Sequence, residues 1–102
     1  MTTAFEVVAE PARRQILDLL IGGPRAVGEI VAETGLSQPN TSRHLRILRE
    51  SGLVEARPVG QQRLYELRPD GMAELVRWLD PYRRLWRGGL DALERDLDET
   101  KE

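Results

Sequence analysis

The residues whose types and spacing suggest chemistry lie between Leu36 and Gly52, in the stretch LSQPNTSRHLRILRESG. At about 100° per residue, an α-helix here would have two different sides. The packing side would hold Thr41, Leu45 and Leu48, and the polar side Pro39, Ser42, Arg43 and Arg46. A helix that packs on one side and offers guanidinium and hydroxyl groups on the other is suited to binding a nucleic acid. The alternative is the ordinary solvated face of an amphipathic helix.

Signals for the start and the end of a helix flank this stretch. Ser37 is a good N-cap, and Pro39 falls in the first turn, where a missing backbone N–H costs nothing. Gly52 can adopt the left-handed conformation that closes a helix at the C′ position. The sequence therefore predicts a helix from Ser37 to Glu50.

The composition limits the class of protein. A chain of 102 residues is one domain, 1–102, near the size at which a monomer buries only about two-thirds of its unfolded surface, so dimerisation would help. The chain has no Cys, which excludes disulfides, thiolate metal sites and cysteine nucleophiles. Apolar runs of at most three residues exclude a transmembrane helix, and no basic residue precedes Pro11 as a signal peptide would require. We expect a cytoplasmic protein that binds no membrane.

The charge is distributed unevenly along the chain. A net charge of −2 and an isoelectric point near 5.5 argue, taken alone, against nucleic-acid binding. Residues 36–68, however, carry a net +3, whereas residues 90–102 carry −4. Because electrostatic binding to DNA depends on the local footprint, an acidic end can coexist with a basic face.

Three shorter helices are predicted before the Ser37–Glu50 helix. The first is indicated by the apolar spacing of Phe5, Val8 and Ala9. The second begins at Pro11 and ends at the Gly-Gly-Pro sequence 22–24, and the third runs from Val27 to a stop at Gly35. Because only residues 35–37 separate the third helix from the next, residues 27–51 form a helix-turn-helix pattern.

A β-hairpin is predicted after Gly52. Residues 53–59 and 62–68 are short runs containing Val, Leu and Tyr, with Gly60 between them at the turn. Pro58 must lie at an edge or a turn, because it cannot donate to a sheet ladder. A hairpin in this place is a wing, 53–68, which can reach the sugar-phosphate backbone or the minor groove. The alternative is a solvated hairpin edge.

The remainder, 70–98, is predicted to be helical with a long apolar stripe. Asp80 and Pro81 indicate a break or kink, and we expect fraying past Leu97. A small domain cannot cover such a stripe alone, so we expect it to pack against a second subunit. The alternative is that it covers the chain's own core. Gly88 and Gly89 could allow close helix approach, a second kink or a binding cleft. The residues expected at the dimer interface are Phe5, Val8, Ala9, Leu79, Tyr82, Trp86, Leu90, Leu93 and Leu97.

Three segments together resemble the ArsR/SmtB family of bacterial winged-helix transcriptional repressors. EPARRQILDLL is similar to the family's opening helix, AVGEIVAETGLSQPNTSRHLRILRESGLV to its helix-turn-helix, and RPVGQQRLYEL to its wing. The resemblance implies a mainly α fold with a β-hairpin wing (α+β), whose N- and C-terminal helices form a homodimer. It also implies a repressor that binds a palindromic operator in double-stranded DNA and occludes the polymerase.

The resemblance assigns roles to single residues. By position, the base-reading surface falls on Gln38, Pro39, Ser42 and Arg43. Gln38 can bond adenine bidentately, Arg43 can bond guanine, and Ser42 can contact a base or a phosphate. Pro39 stands where relatives often have a small polar residue, so it can offer only apolar contact. Other residues expected at the DNA are Ser37, Asn40, Thr41, Arg46, Arg57, Gln61, Gln62 and Arg63, of which the three arginines would contact phosphates.

The chain departs from the metal-sensing members of that family. No Cys stands in EIVAETG, ahead of the recognition helix, and the C-terminal segment has no His. The single His, His44, lies near the packed side of its helix, so we expect a structural or phosphate-contact role. We interpret Asp91, Asp96 and Asp98 as part of a solvated acidic terminus. We expect no metal and no cofactor.

Catalysis is not expected either, and the regulatory signal stays open. Ser42 and His44 are two residues apart on a helix and so do not face each other, and no glycine-rich phosphate loop opens a helix after a strand. Trp78, Tyr82 and Trp86 could border a site for a small-molecule inducer, or could be core aromatics. Two alternatives are a regulator that needs no ligand and a protein-interaction module on a winged-helix scaffold.

Overall fold

The structure, a computed structural model, describes residues 3–99. Its elements in chain order are α1 (Ala4–Ala9), α2 (Pro11–Leu20), β1 (Arg25–Ala26), α3 (Val27–Thr34), α4 (Gln38–Glu50), β2 (Val54–Val59), β3 (Gln62–Leu67), a 3₁₀ turn (Pro69–Met72) and α5 (Ala73–Glu99). The three strands form an antiparallel sheet in the order β1-β3-β2. The mainly α fold with a hairpin wing is confirmed.

The core lies between α1, α2, α3, α4 and the start of β2. Its largest fully buried side chains are Val7, Ile16, Ile30, Thr41, Leu45, Leu48, Leu53 and Val54. Every helix from α1 to α4 contributes to this set, so the core covers one side of α4 and leaves the opposite side outward. Gly35, with a left-handed φ of 73°, ends α3 and turns the chain into α4.

α4 begins and ends where its sequence signals lie. The Ser37 hydroxyl accepts a hydrogen bond from the backbone N–H three residues ahead, at 3.2 Å. At the other end Gly52 has a φ of 80°. The N–H groups of Gly52 and Leu53 donate to the carbonyls of Arg49 and Leu48, each at 3.0 Å, in a Schellman motif. Because Leu48 and Leu53 are both buried, this closing turn anchors the wing to the core.

The wing consists of β2, β3 and the turn between them. Gly60, with a φ of 63°, lies in a two-residue turn between the paired Val59 and Gln62. β2 is an edge strand, so Pro58 lies at an edge as predicted. β1 was not predicted; it pairs with β3 on the other side and consists of two residues. Two residues are too few to show a strand period, so only the tertiary pairing reveals it.

α5 is one continuous helix with Pro81 inside it, so a break at Asp80–Pro81 is wrong, whereas a kink there stays a prediction. Proline removes one backbone hydrogen bond, but its fixed φ near −65° suits a helix, and the ladder resumes on both sides. The helix also continues through Asp98 and Glu99, so the expected fraying past Leu97 is not seen there. Residues 100–102 lie outside the described residues. Within 3–99, no helix combines the length and the apolar character that crossing a bilayer would need.

Most of the apolar stripe on α5 is not covered by its own chain. Met72 and Leu75 pack against the core, and Phe5 packs edge-on against Trp78 with ring centroids 5.6 Å apart. Farther along, the exposed fraction is 43% at Leu79 and 75% at Leu85. The alternative, that the stripe covers the chain's own core, therefore holds only for the beginning of the stripe. Trp78, Tyr82 and Trp86 are each more than half exposed, so they are not core aromatics of a single chain.

The 3₁₀ turn fastens α5 to the end of α4. The Arg68 N–H donates to the Leu53 carbonyl at 2.9 Å, which returns the chain to the end of α4. Gly71 then lies so close to the backbone of Gly52 that a Cβ atom at position 71 would overlap the Gly52 carbonyl oxygen. Glycine is needed here for close approach of two backbone segments.

Candidate nucleic-acid interface

α4 presents a polar face to solvent along its whole length. The exposed residues on it are Gln38, Pro39, Asn40, Ser42, Arg43, Arg46, Arg49 and Glu50. The opposite side is buried, with Leu45 at 1% and Leu48 at 0% exposure. The division into a packing side and an offered side, predicted from the helical period, is confirmed.

Thr41 is not part of the offered face, so its assignment as a DNA contact is wrong. Its side chain is 0% exposed. Its hydroxyl donates to the Ser37 carbonyl at 2.9 Å. Thr41 therefore acts within the first turn of α4, where it holds the cap residue, and cannot reach a ligand outside.

A groove between α4 and β3 collects four arginine side chains, and we call it the arginine groove. It has a volume of about 460 Å³ and is lined by Pro39, Ser42, Arg43, Arg46, Arg49, Arg63 and Tyr65. No ion pair found among residues 3–99 involves any of these four arginines. Unneutralised guanidinium groups at this spacing create a positive potential and can bind phosphate oxygens through charge-assisted hydrogen bonds.

The arginine groove brings together most of the predicted arginines and adds two residues that the sequence did not single out. Arg49 follows Arg46 by three positions, so the two are neighbours on the helix surface. That spacing could have identified Arg49 from the sequence. Tyr65, on β3, contacts the core and also lines the groove.

Gln61 and Gln62 lie on a different side of the wing. With Arg63 and Tyr65 they line a second groove, of about 500 Å³, against the beginning of α3. Arg63 therefore borders both grooves, whereas the two glutamines do not contribute to the arginine groove. The groove at the wing tip and the arginine groove are separate and share Arg63 and Tyr65 of β3.

Arg57 is already engaged by a carboxylate. Its Nε donates to Oε1 of Glu66 on the adjacent strand at 3.1 Å. It does not line the arginine groove. An exposed pair of this kind contributes at most about 1 kcal/mol, so a phosphate could replace Glu66, but the net positive charge at this place is small.

His44 belongs to the packing side of α4. It is 7% exposed, and its Nδ1 lies 3.5 Å from Nη1 of Arg13 on α2. Burial, then the positive charges of Arg13 and Arg43, lower the pKa of His44 below its ordinary value of 6.5, against a smaller opposing effect of Glu10. A neutral ring can accept from Arg13, which also donates from Nε to the Val7 carbonyl at 2.7 Å. His44 thus has the structural role, and its burial excludes a direct phosphate contact.

The acidic side chains do not assemble into a metal site in the part of the chain that is described. Among residues 3–99, no three side chains of His, Asp or Glu lie close enough together to hold a metal ion.

The geometry defines a class of protein. Two helices joined by a tight turn, with a hairpin beside the second, are the winged helix-turn-helix architecture. In it, the arginine groove lies between the two elements that such domains present to DNA.

Comparison with known proteins agrees with this class. The sequence profile described as "Bacterial regulatory protein, arsR family" matches residues 10–56. The chain is 38% identical over 95 residues to the HTH-type transcriptional regulator Rv2034 of Mycobacterium tuberculosis, covering 93% of this chain and 86% of that protein. It is 33% identical over 79 residues to the transcriptional repressor SdpR of Bacillus subtilis, covering 78% and 88%.

A solved structure shows the same fold. The chain is similar to the homodimeric winged helix-turn-helix DNA-binding domain of Mb0332 from Mycobacterium bovis, with a TM-score of 0.65 and 35% identity, covering 78% of this chain and 74% of that one. The chain belongs to the ArsR family of bacterial regulatory proteins, as its sequence segments indicated. It is a transcriptional regulator with a winged helix-turn-helix DNA-binding domain, and its relatives named above are regulators rather than enzymes.

Proposed function

We propose that the protein is a homodimeric repressor that binds a palindromic operator in double-stranded DNA. α4 of each subunit enters one of two successive major grooves, about 34–36 Å apart, and the wing lies on the backbone or in the minor groove. The observation that carries this proposal is the arginine groove, whose four guanidinium groups form no ion pair with any carboxylate of residues 3–99. The homodimer named for the Mb0332 domain supports the pairing of two recognition helices.

Base reading falls to the first half of α4. Gln38, Pro39, Ser42 and Arg43 are exposed there. N-terminal residues of a recognition helix are the ones that reach base edges in this architecture. Gln38 reads adenine and Arg43 reads guanine through paired hydrogen bonds, while Pro39 packs on a thymine methyl group.

Phosphate contacts fall to the walls of the arginine groove. Arg46 and Arg49 approach the strand from α4, and Arg63 approaches it from the wing. Ser37 and Asn40, exposed at the beginning of α4, and Gln61 and Gln62, exposed at the wing tip, contact the backbone on either side. Arg57 joins only by exchanging Glu66 for a phosphate, so its contribution is smaller.

The protein represses by occluding the polymerase and is released by a signal that is not a metal ion. The chain has no Cys, and the one His is buried against Arg13. Trp78, Tyr82 and Trp86 offer exposed aromatic surface for a small-molecule inducer at the dimer interface. Such an inducer must bind the DNA-competent and DNA-incompetent dimers with different affinities. Regulation without a ligand is the alternative, and the unpaired arginines argue against a pure protein-interaction module.

Fluorescence anisotropy with a duplex from the protein's own upstream region tests the proposal. Arg49→Ala is expected to weaken binding by about tenfold and to flatten the salt dependence by about one unit per subunit. Arg84→Ala is the matched control, because Arg84 pairs with Asp80 on α5 at 3.3 Å and lies outside the arginine groove. Equal losses in both variants, or no salt-sensitive binding by the unmodified chain, would contradict the proposal.

A further inference from the structure

The exposed stripe on α5 has a regular geometry. At about 100° per residue, its main members fall within an arc of about 80° around the helix. They are Leu79, Tyr82, Trp86, Leu90, Leu93 and Leu97. Gly89 borders the same arc, whereas Gly88 lies on the opposite side, and no heavy atom of a neighbouring element lies within 4 Å of a Cβ built at either glycine. The stripe is thus a long apolar face interrupted by one position without a side chain.

The two halves of α5 carry opposite charge. Residues 73–87 carry a net +2, and residues 90–99 carry a net −4. A second α5 running parallel would set acidic half against acidic half. A second α5 running antiparallel sets the acidic half of each helix against the basic half of the other, and it also opposes the helix dipoles.

The stripe is complementary to itself in the antiparallel arrangement. Positions that face each other across a two-fold axis are equally distant from it along the chain. Four pairs are centred on Gly88 to within half a residue: Leu79 with Leu97, Tyr82 with Leu93, Trp86 with Gly89, and Arg83 with Glu94. Leucines and Tyr82 meet apolar partners, the indole meets the one small residue, and the charged pair flanks the same edge of the stripe.

We infer that two copies of α5 cross antiparallel at Gly88, with Trp86 of each copy packed over Gly89 of the other. The inference rests on the homodimer of the proposed function and specifies how that dimer is built. Of the three roles left open for the two glycines, which were a kink, a binding cleft and close helix approach, it assigns close helix approach to Gly89. The alternative register has the two-fold axis at Trp86 and would also align apolar positions. In that register, however, the two Trp86 indoles would occupy the same place, and Glu94 would face Trp78.

Because the chain contains no Cys, single-cysteine variants report the register without further changes. A disulfide needs Cα atoms within about 7 Å. Tyr82→Cys and Leu93→Cys chains, mixed while reduced and then mildly oxidised, are expected to form a covalent dimer. Each variant alone is not, because its two cysteines would lie about 15–18 Å apart along the axis. Cross-linking of each variant with itself, or preferential cross-linking of Tyr82→Cys to Leu90→Cys, overturns the inference.

The two glycines provide a matched pair that tests the close contact. Gly89→Leu fills the space under the indole and is expected to raise the dimer dissociation constant at least tenfold in sedimentation equilibrium. Gly88→Leu adds the same side chain one residue earlier, on the outer side of the helix, and is expected to change the dimer dissociation constant by less than about threefold. Both variants gain similar helix propensity, so the comparison isolates the contact at the interface. Equal effects of the two substitutions overturn the inference.

The same measurements separate this inference from the proposed function. A chain that stays monomeric at every concentration overturns both the register and the homodimer. A dimer that fails the cross-linking pattern but still binds the upstream duplex in a salt-sensitive way overturns the register alone.

Discussion

α4 and α5 are both amphipathic helices, yet only α4 has its apolar side buried along its length by its own chain. The apolar side of α4 is buried by α2, α3 and the wing, with Leu45 and Leu48 at most 1% exposed. On α5, Leu93 and Leu97 are more than half exposed. Short connections at both ends of α4 fold its neighbours onto it, whereas α5 packs through Leu75 against the core and through Trp78 against Phe5, both near its beginning. An apolar period shows that a face will be buried, but not whether the cover belongs to the same chain.

The two helices also differ in how their charges are balanced. Among residues 3–99, no ion pair involves Arg43, Arg46 or Arg49 of α4, so these arginines are available to a polyanion. On α5, Arg84 pairs with Asp80, and the acidic half of the helix balances the basic half. These charge distributions support the proposals that α4 binds DNA and that α5 packs against a copy of itself.

The largest expected difference between the helices is in stability. Leu48→Ala, in the core, is expected to lower the free energy of unfolding by about 2–5 kcal/mol at any protein concentration. Leu93→Ala is expected to cost less than about 0.5 kcal/mol in dilute solution and more as the concentration rises, because it weakens only the dimer. Urea titrations at two concentrations measure this. A concentration-independent loss for Leu93→Ala as large as that for Leu48→Ala would show that the stripe is buried within one chain.

The junction between the two regions is expected to be the next most sensitive place. Gly71→Ala forces a Cβ atom against the Gly52 carbonyl and should destabilise the fold by about 1–3 kcal/mol. Gly28→Ala is the control: it lies in α3 with open space around it and should stabilise by up to about 1 kcal/mol. Thermal unfolding of both variants checks the pair. A neutral Gly71→Ala would mean that the end of α4 and the beginning of α5 are not closely joined.

Within the DNA surface, the arginines of α4 and of the wing are expected to act differently. Arg43→Ala should reduce the preference for the operator over a base-substituted operator by about tenfold, or about 1.4 kcal/mol. Arg63→Ala should weaken both duplexes equally, and Arg57→Ala should weaken them less, because Glu66 already neutralises it. Competition titrations with the two duplexes distinguish these cases. The division of roles fails if Arg63→Ala changes the preference as much as Arg43→Ala.

The smallest expected effect is the pH dependence due to His44. Its pKa is lowered in the folded chain, so protonation favours unfolding. The contribution of His44 to stability is complete above its unfolded value of 6.5 and is lost as the pH falls below that value. The urea midpoint of the unmodified chain should therefore be lower at pH 5.5 than at pH 7.5. The difference between the two midpoints should be smaller in His44→Gln. An equal fall in both chains would assign the effect to other groups.

Sequence patterns predicted the elements whose signals are local. Ser37, Gly35 and Gly52 marked helix ends because capping and left-handed turns depend on a few adjacent residues. β1 was missed because its pairing with β3 is a long-range contact of two residues. The break at Pro81 was predicted from the local rule that proline interrupts a helix. The 27-residue helix α5 accommodates this proline without a break.

The candidate site was predictable where it follows from the helical period. The exposed positions of Pro39, Ser42 and Arg43 follow from the apolar side that α4 must bury. The pairing of Arg57 with Glu66 and the place of Tyr65 in the arginine groove depend on strand register and on how the wing meets α4. Neither can be obtained from the sequence of one strand. Thr41 was assigned two incompatible roles, and its burial leaves only the structural one.

The most direct test of the central claim is the salt dependence and stoichiometry of binding to the duplex from the upstream region. Six phosphate contacts, from Arg46, Arg49 and Arg63 in two subunits, predict that the logarithm of the binding constant falls with the logarithm of salt concentration with a slope of about −5. Two chains should bind each operator at saturation. A slope near zero, or saturation by a single chain, would contradict the account.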